Sequence, residues 1–469
     1  MTGASVCECA EVLLKEAIVL PADMRNIILN HLQCQCKLRN QLPGKLRTFY
    51  TASHKLSDKT TKPQLDYEYL CDPENAHKID ELIKRRKNLG NIWKVHEINK
   101  KLKSISPSSQ EYEALHMELE REARNIPNKA SPHLWDYGDE PKILEFINPK
   151  PKFNFTPREL GELGQMLDIM RTENLGNITG SRSYYFKGAL ADLEQALIRY
   201  TVSYLLKMGF TLMSVPDLLY SHVIEGCGMN TRGEHSQVYH IVNPKEDVCL
   251  AGTAEMALGG FLKNKQLTLE ELPMKLAAVS RCYRAEASSA QEERGIYRVH
   301  GFTKVEMFGV TAAETGEESP QLYSEMTQIQ KELFSRLGIH FQILDMPLND
   351  LGAPAYTKTD MEAWMPGRGL YGEISSASNC IDYQARRLHI TYSNREGIQR
   401  FAHTVNGTAC ALPRTIIALC ESFQSYNGTI TIPPVLRPYM SGLVNIEPPS
   451  TPCKMTWIKQ KTYPGKIQG

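Results

Sequence analysis

Past Pro157 the chain breaks into short apolar segments that follow one another with turns between them. Residues 212–216, 237–242, 277–283, 295–310, 341–345, 361–365 and 385–392 read as strands. Strands in succession, without a regular helix between each pair, require a mostly antiparallel sheet and exclude a doubly wound parallel one. Helices are expected at 158–171, 189–208 and 416–423. The predicted fold class is α+β: an antiparallel β-sheet flanked by helices, preceded by a short antiparallel helical hairpin.

Size supports more than one domain, since 469 residues suit two or three. With 42% apolar and 23% charged residues, a sizeable core is available. No apolar run approaches 18 residues, so no membrane span is expected. The net charge of +1 implies no partner by itself, so any nucleic acid must meet a local basic patch. The 12 cysteines show no zinc-knuckle spacing and read as reduced and mostly buried.

The predicted organisation has four parts. Residues 24–57 lack Asp and Glu but carry Arg25, Lys37, Arg39, Lys45, Arg47 and Lys55 among apolar positions. That is presequence composition, so 1–60 is taken as a mitochondrial targeting segment and flexible N-terminus, although Glu8, Glu11, Glu16 and Asp23 fit it badly. Residues 61–135 form the arm. Asp72-Pro73-Glu74 caps a helix expected to run to about Ile105, and Ser108 with Glu111 opens a second that ends before Pro127. Nine Lys or Arg face three acids in 75–104, whereas 108–126 holds five acids and two Arg. Lys84, Arg85, Arg86, Lys87, Lys100, Lys101 and Lys103 are the dense basic points. They suit a phosphate backbone, and equally a solvated face neutralised by its acidic partner. Residues 136–440 form the catalytic domain, and 441–469 are a tail with Lys454, Lys459, Lys461 and Lys466.

No phosphate loop and no glycine-rich dinucleotide turn is present, so a nucleotide must be gripped another way. Alternation along a strand puts Arg284 and Glu286 on one face. A polar loop ending at Arg294 follows, and the chain returns through Arg298, His300, Phe302 and Lys304 to Glu306. Arginines at the base and in the loop of such a hairpin can hold an acidic group and a polyphosphate together, while His300 reads as structural.

These residues resemble the seryl-tRNA synthetases of the class II aminoacyl-tRNA synthetase fold, specifically the animal mitochondrial branch. The blocks occur in order: Gly209-Phe210-Thr211 to Val215-Pro216, Gly252-Thr253-Ala254-Glu255, Tyr283-Arg284-Ala285-Glu286 to Lys304-Val305-Glu306, Met361 to Gly367, Gly372-Glu373 to Cys380, and Asn406-Gly407-Thr408 to Arg414-Thr415. The resemblance covers about 155–435 and is weaker over the arm. It implies an ATP-dependent ligase that activates serine as seryl-adenylate, transfers it to mitochondrial tRNA(Ser), and releases AMP and pyrophosphate. Arg284, Arg414 and Glu373 would carry catalysis. Serine would meet Thr253, Glu255, Arg284, Glu306, Asn406 and Thr408. ATP would meet Arg284, Glu286, Arg294, Arg298, Phe302, Glu373, Ser376 and Arg414. Mg²⁺ would sit on Glu373 and Ser376. The implied setting is a homodimer in the mitochondrial matrix.

The arm departs from the family, being much shorter than its usual coiled coil. Either the tRNAs are reduced or their binding has shifted to other surfaces. The rival within the family is a catalytically silent relative with a structural or regulatory role. Such a relative should have lost pocket residues, and Thr253, Glu255, Arg284, Glu286, Glu306, Glu373, Thr408 and Arg414 are all present.

Overall fold

Eight strands build the central sheet in the order β1-β5-β6-β7-β8-β4-β3-β2. They are β1 (Lys142–Ile147), β2 (Thr211–Met213), β3 (Met274–Tyr283), β4 (Gly301–Thr311), β5 (Phe341–Asp345), β6 (Thr357–Met365), β7 (Leu370–Ile381) and β8 (His403–Ala411). Every neighbouring pair is antiparallel except β2 on β3. The computed structural model describes residues 62–86, 90–176, 178–233, 236–242, 246–286 and 295–449. The targeting segment, Lys87, Arg294 and the tail lysines lie outside the described residues. Among the described residues no helix is long and apolar enough to cross a membrane.

Both faces of the sheet centre are covered, which explains its near-continuous burial. Alternation along β4 sends Val305 and Met307 to one face and Glu306, Phe308 and Val310 to the other. The first face packs under helices α4 (Ala189–Lys207), α6 (Glu318–Leu337) and α8 (Leu412–Ser422), through Leu193, Leu197, Met326, Leu333 and Ile416. The second packs on α5 (Ala254–Leu262) and α7 (Tyr383–Leu388), through Leu258, Leu262 and Leu388. Glu306 therefore faces the side on which α5 begins.

Several elements differ from expectation. Only the end of the segment 385–392 is strand, at Thr391–Ser393: α7 occupies 383–388, and His389 closes it in the left-handed region at φ 56°. Gln384, Ala385, Arg386, Arg387 and Leu388 are good helix formers, and Leu388 packs fully buried against the core. Residues 237–242 form only the bridge of His240 to Cys249, not a strand. The helix expected over 158–171 is shorter, at Leu160–Met166, because Met170–Arg171 pairs with Tyr185–Phe186.

In place of two long helices, the arm has a four-residue helix at Tyr67–Leu70 followed by α1 (Pro73–Arg85), α2 (Ile92–Leu102) and α3 (Gln110–Arg124). The expected long first helix is interrupted before Gly90, which has φ +94° and lies so close to the chain that a Cβ there would come within 2.9 Å of the Asn125 carbonyl. Ile79, Ile83, Val95, Ile98, Leu119 and Ala123 fill the space between the helices. Leu82 leaves that cluster and packs with Leu134, Leu344 and Met346, so α1 is seated on the sheet edge.

Seating α1 changes the reading of two basic residues. Arg86 is 3% exposed and donates to the carbonyls of Asn128 (2.8 Å), Gly352 and Ala355 (3.2 Å). Arg85 donates to the carbonyls of Trp135 (3.1 Å) and Tyr137 (2.5 Å). Their guanidinium donors tie the arm to the body, which corrects their assignment to tRNA phosphates. Lys84, Lys100, Lys101 and Lys103 remain exposed. Lys84 pairs with Asp80 at 2.7 Å and Lys101 with Glu97 at 2.7 Å.

Candidate active site

Many of the predicted residues line one cleft of about 510 Å³ at the ends of β3, β4, β7 and β8, whereas Thr253, Glu255, Glu306, Ser376 and Asn406 are not part of its lining. Its lining includes Arg284, Glu286, Arg298, Phe302, Lys304, Glu373, Thr408 and Arg414. Arg284 follows β3 immediately, where its backbone N–H donates to the His300 carbonyl at 3.0 Å. Its guanidinium lies over the Phe302 ring, 5.5 Å from the centroid. Its Nε is buried with no hydrogen-bond partner among the described residues. A buried, unsatisfied cationic donor is costly unless a ligand completes it.

Arg284 and Glu286 do not share a strand face, as alternation suggested. The strand stops at Tyr283, and Glu286 turns at φ 33°. Arg182 donates to the Glu286 carbonyl at 3.1 Å, and Arg298 approaches the buried Glu286 carboxylate at 3.3 Å. His300 is structural, its Nδ1 meeting Tyr239 Oη at 2.7 Å.

On the far wall Arg414 is fixed by its position in the first turn of α8. Its Nε donates to the Tyr297 carbonyl (3.2 Å), and its Nη1 to the Glu373 carbonyl (3.0 Å) and carboxylate (3.2 Å). The guanidinium lies 4.4 Å above the Tyr297 ring. Arg414 and Phe302 both line the cleft.

Glu373 and Ser376 are three apart, which in a regular strand sends side chains to opposite faces. The β6–β7 register pairs Glu362 with Glu373 and Asp360 with Ser376, so β7 carries one extra residue between them. That bulge returns Ser376 to the face of Glu373. Burial alone would raise the Glu373 carboxyl, but Arg414, Lys358 and Arg284 hold it below its ordinary range. Its side chain keeps 43% of its surface open to the cleft. An ionised carboxylate and a hydroxyl on one face are hard oxygen donors that fit Mg²⁺. Asp360 lies beside them: burial first, then the Glu373 charge, raises its carboxyl, while Lys358 at 2.7 Å opposes the rise.

The polar end of the cleft is built across the sheet centre. Glu306 on β4 stands directly opposite Thr408 on β8. The Thr408 hydroxyl donates to Glu306 Oε2 at 3.2 Å and accepts from Lys304 Nζ at 3.2 Å. Lys304 also pairs with the Glu306 carboxylate. Thr253 caps α5, accepting from the Glu255 N–H at 3.4 Å, which places Glu255 in the first turn. Burial, then the Glu306 charge, pushes the Glu255 carboxyl up to about 7, against Lys304 and hydrogen bonds from Gln384 and Asn406. Two neighbouring carboxylates, partly neutralised by one lysine, leave room for one further cation, as an ammonium ligand would supply.

Gln384 was missed from the sequence because it lies just before the segment 385–392 that read as strand, and the helix containing it was not expected. It donates to Glu255 Oε1 (2.5 Å) and the Cys227 carbonyl (3.1 Å) and accepts from Thr404 Oγ1 (2.7 Å), which fixes its amide and aims Glu255. Tyr297 and Lys358 were missed: Tyr297 lines the cleft and carries Arg414, and Lys358 bears on Asp360 and Glu373.

Residues 239–423 match the family described as tRNA synthetase class II core domain (G, H, P, S and T). The chain is 46% identical over 347 residues to the mitochondrial serine–tRNA ligase of Mus musculus, covering 73% of this chain and 66% of that relative. It is 40% identical over 374 residues to the serine–tRNA ligase of Borrelia garinii subsp. bavariensis, covering 78% of this chain and 87% of that one. The seryl-tRNA synthetase of Pyrococcus horikoshii complexed with ATP superposes with a TM-score of 0.69 at 30% identity, covering 80% and 88%. The chain thus spans slightly less than two thirds of its mitochondrial relative's length.

Proposed function

This chain belongs to the serine–tRNA ligase family, and on that premise we propose that it activates serine with ATP and transfers it to mitochondrial tRNA(Ser). The observation that carries the reading is the continuity of one cleft from the Arg284 and Arg414 walls to the Thr408, Glu306 and Lys304 end. Glu255 and Thr253 take the serine ammonium, while Glu306, Thr408 and Asn406 take its hydroxyl. A site that hydrogen-bonds the hydroxyl rejects alanine because its own polar groups would be stranded.

Arg284 holds the serine carboxylate against the α-phosphate of ATP. The carboxylate attacks that phosphorus, the bond to the β-phosphate oxygen breaks, and pyrophosphate leaves. Phe302 and Arg414 bracket the adenine, Glu286 hydrogen-bonds it, and Arg294, Arg298 and Arg414 steady the phosphates. Glu373 and Ser376 would hold Mg²⁺, which supplies charge stabilisation on the phosphoryl oxygens when bound. Side-chain acids and bases play little part, so rate comes from positioning and from preorganised positive charge. In the second step the terminal ribose hydroxyl of the tRNA attacks the seryl carbonyl. The adenylate phosphate takes the proton and AMP leaves. The exposed Lys84, Lys100, Lys101 and Lys103 bind tRNA phosphates. The protein works as a homodimer in the mitochondrial matrix.

The test separates the two half-reactions. Serine-dependent ATP–pyrophosphate exchange should proceed without tRNA, and charging should then follow with mitochondrial serine tRNAs. Well-folded protein that shows neither would favour the catalytically silent relative.

A further inference from the structure

A polar residue sits in the middle of the apolar face that α6 turns to the sheet. Gln330 is fully buried on the helix that also buries Met326, Ile329, Leu333 and Phe334. A primary amide gives up hydration there that leucine or methionine would not, so its hydrogen bonds need an account. Its Nε2 lies 2.9 Å from the Ser376 carbonyl and 2.9 Å from the Thr408 carbonyl. Both acceptors are carbonyls, so this atom is the amine end and each of its two hydrogens is used. The Oε1 is buried and accepts no hydrogen bond among the described residues. Gln330 thus strands one of its own acceptors while it spans two strands.

The two carbonyls mark the point where the sheet opens. Strands β7 and β8 are paired from Ile381 and Thr404 to Ala377 and Gly407, and the pairing ends there. Ser376 and Thr408 come next and are not paired with each other. Both strands are irregular just beyond. The extra residue of β7 falls between Glu373 and Ser375, and β8 shifts its register against β4 between Thr408 and Cys410. A seam between two bulged strands has no ladder to set its width. Side chains set it instead: Gln330 from α6, and Ser375 Oγ, which donates to the same Thr408 carbonyl at 2.5 Å. Gly407 leaves room for the amide, since a Cβ there would come within 3.1 Å of Gln330 Nε2. The clip lies behind the pocket, because α6 covers one face of the sheet and the Thr408 hydroxyl meets Glu306 on the other.

We propose that Gln330 is a positioning residue for the ligase reaction. Its amide fixes the separation of Ser376 and Thr408, and with it the separation of the proposed Mg²⁺ ligands from the wall that reads the serine hydroxyl. The inference rests on the ligase reading and adds to it a residue that touches neither substrate. Methionine at this position fills much the same space but donates to neither carbonyl. Thr408 then keeps the bond from Ser375, whereas Ser376 loses its bond from α6. One bridge serves both groups, so its loss disturbs serine binding and the Mg²⁺ requirement together.

The test compares full-length wild type, Gln330→Met and Leu333→Ala. Leu333 lies one turn along the same buried helix face, so Leu333→Ala removes packing without removing a donor. Amide hydrogen exchange read by mass spectrometry reports on the seam itself. In Gln330→Met, exchange over residues 375–381 and 403–409 should quicken about tenfold more than in the rest of the sheet, whereas Leu333→Ala should lower thermal stability without singling out the seam. In pyrophosphate exchange, Gln330→Met should raise the KM for serine and the Mg²⁺ concentration for half-maximal rate about tenfold each, and Leu333→Ala should raise neither. Gln330→Asn keeps the amide but is one methylene too short to span the seam, so it should behave as Gln330→Met does, and it serves where Gln330→Met does not fold. Wild-type seam protection in these Gln330 variants overturns the proposal, as does an unchanged serine KM and Mg²⁺ requirement, or the same changes in Leu333→Ala. A seam that loosens in the Gln330 variants of a protein whose wild type shows no pyrophosphate exchange supports the clip and overturns the ligase reading alone.

Discussion

Glu255 is half-buried beside another carboxylate, and its titration gives the site a pH signature. Its carboxyl stands near 7, above the ordinary 4.5, because burial and the Glu306 charge favour the neutral form. A raised carboxyl means the folded protein holds a proton that the unfolded chain releases. Its contribution to stability is complete below pH 4.5, shrinks between pH 4.5 and 7, and is fully lost above 7. The loss amounts to about 3 kcal/mol. Serine binding needs the opposite form, since only the carboxylate holds an ammonium. The kcat/KM for serine in exchange should therefore fall about tenfold per pH unit below 7, chiefly through KM. Glu255→Gln should flatten that limb, and an unchanged limb would remove Glu255 from the ammonium site. The neighbouring Thr408 carries the hydroxyl reading. Thr408→Val removes the hydroxyl that both Lys304 and Glu306 contact, so the ratio of serine to alanine activation should drop at least about tenfold.

At the scale of elements, legibility followed periodicity. The helices at 189–207 and 412–422 and the strand at 341–345 carry apolar patterns that a linear reading resolves. Strands β7 and β8 carry the polar Glu373, Ser376, Asn406 and Thr408, of which Glu373 and Thr408 line the cleft, so function blurred their strand signal. The β7 bulge is invisible in sequence, yet it alone puts Glu373 and Ser376 on one face. Sequence reasoning found both residues only through the family resemblance. Arg86 was misread for a complementary reason: a basic run looks solvated until the sheet edge it packs against is known. The same elements make Gly372 critical. A Cβ there would meet Tyr297 Cε2 at 2.7 Å and Met365 Cε at 2.8 Å, and Tyr297 is the platform under Arg414. Gly372→Ala should raise the KM for ATP about tenfold, or about 1.4 kcal/mol, with the KM for serine nearly unchanged in pyrophosphate exchange.

At the scale of the whole molecule, the small net charge leaves RNA attraction to local patches, and the arm supplies one. Replacing Lys84, Lys100, Lys101 and Lys103 by Ala should weaken tRNA binding and lower its slope against log salt by about 0.7–0.9 for each phosphate left without a lysine. Pyrophosphate exchange should stay unchanged, because these residues stand on α1, α2 and the turn after it, away from the cleft lining. Equal salt slopes in wild type and variant would show that tRNA is met elsewhere. Arg85 and Arg86 are unsuitable for this test, since replacing them would unseat the arm from the body.

Arg284, with its buried Nε and its place over Phe302, is the residue proposed to join the serine carboxylate to the α-phosphate. The most direct measurement is serine-dependent ATP–pyrophosphate exchange by the wild-type protein and by Arg284→Ala. Exchange should be robust in the wild type and about 100- to 1,000-fold lower in the variant, with thermal stability kept. Exchange that is absent from well-folded wild type, or undiminished in Arg284→Ala, would contradict that role.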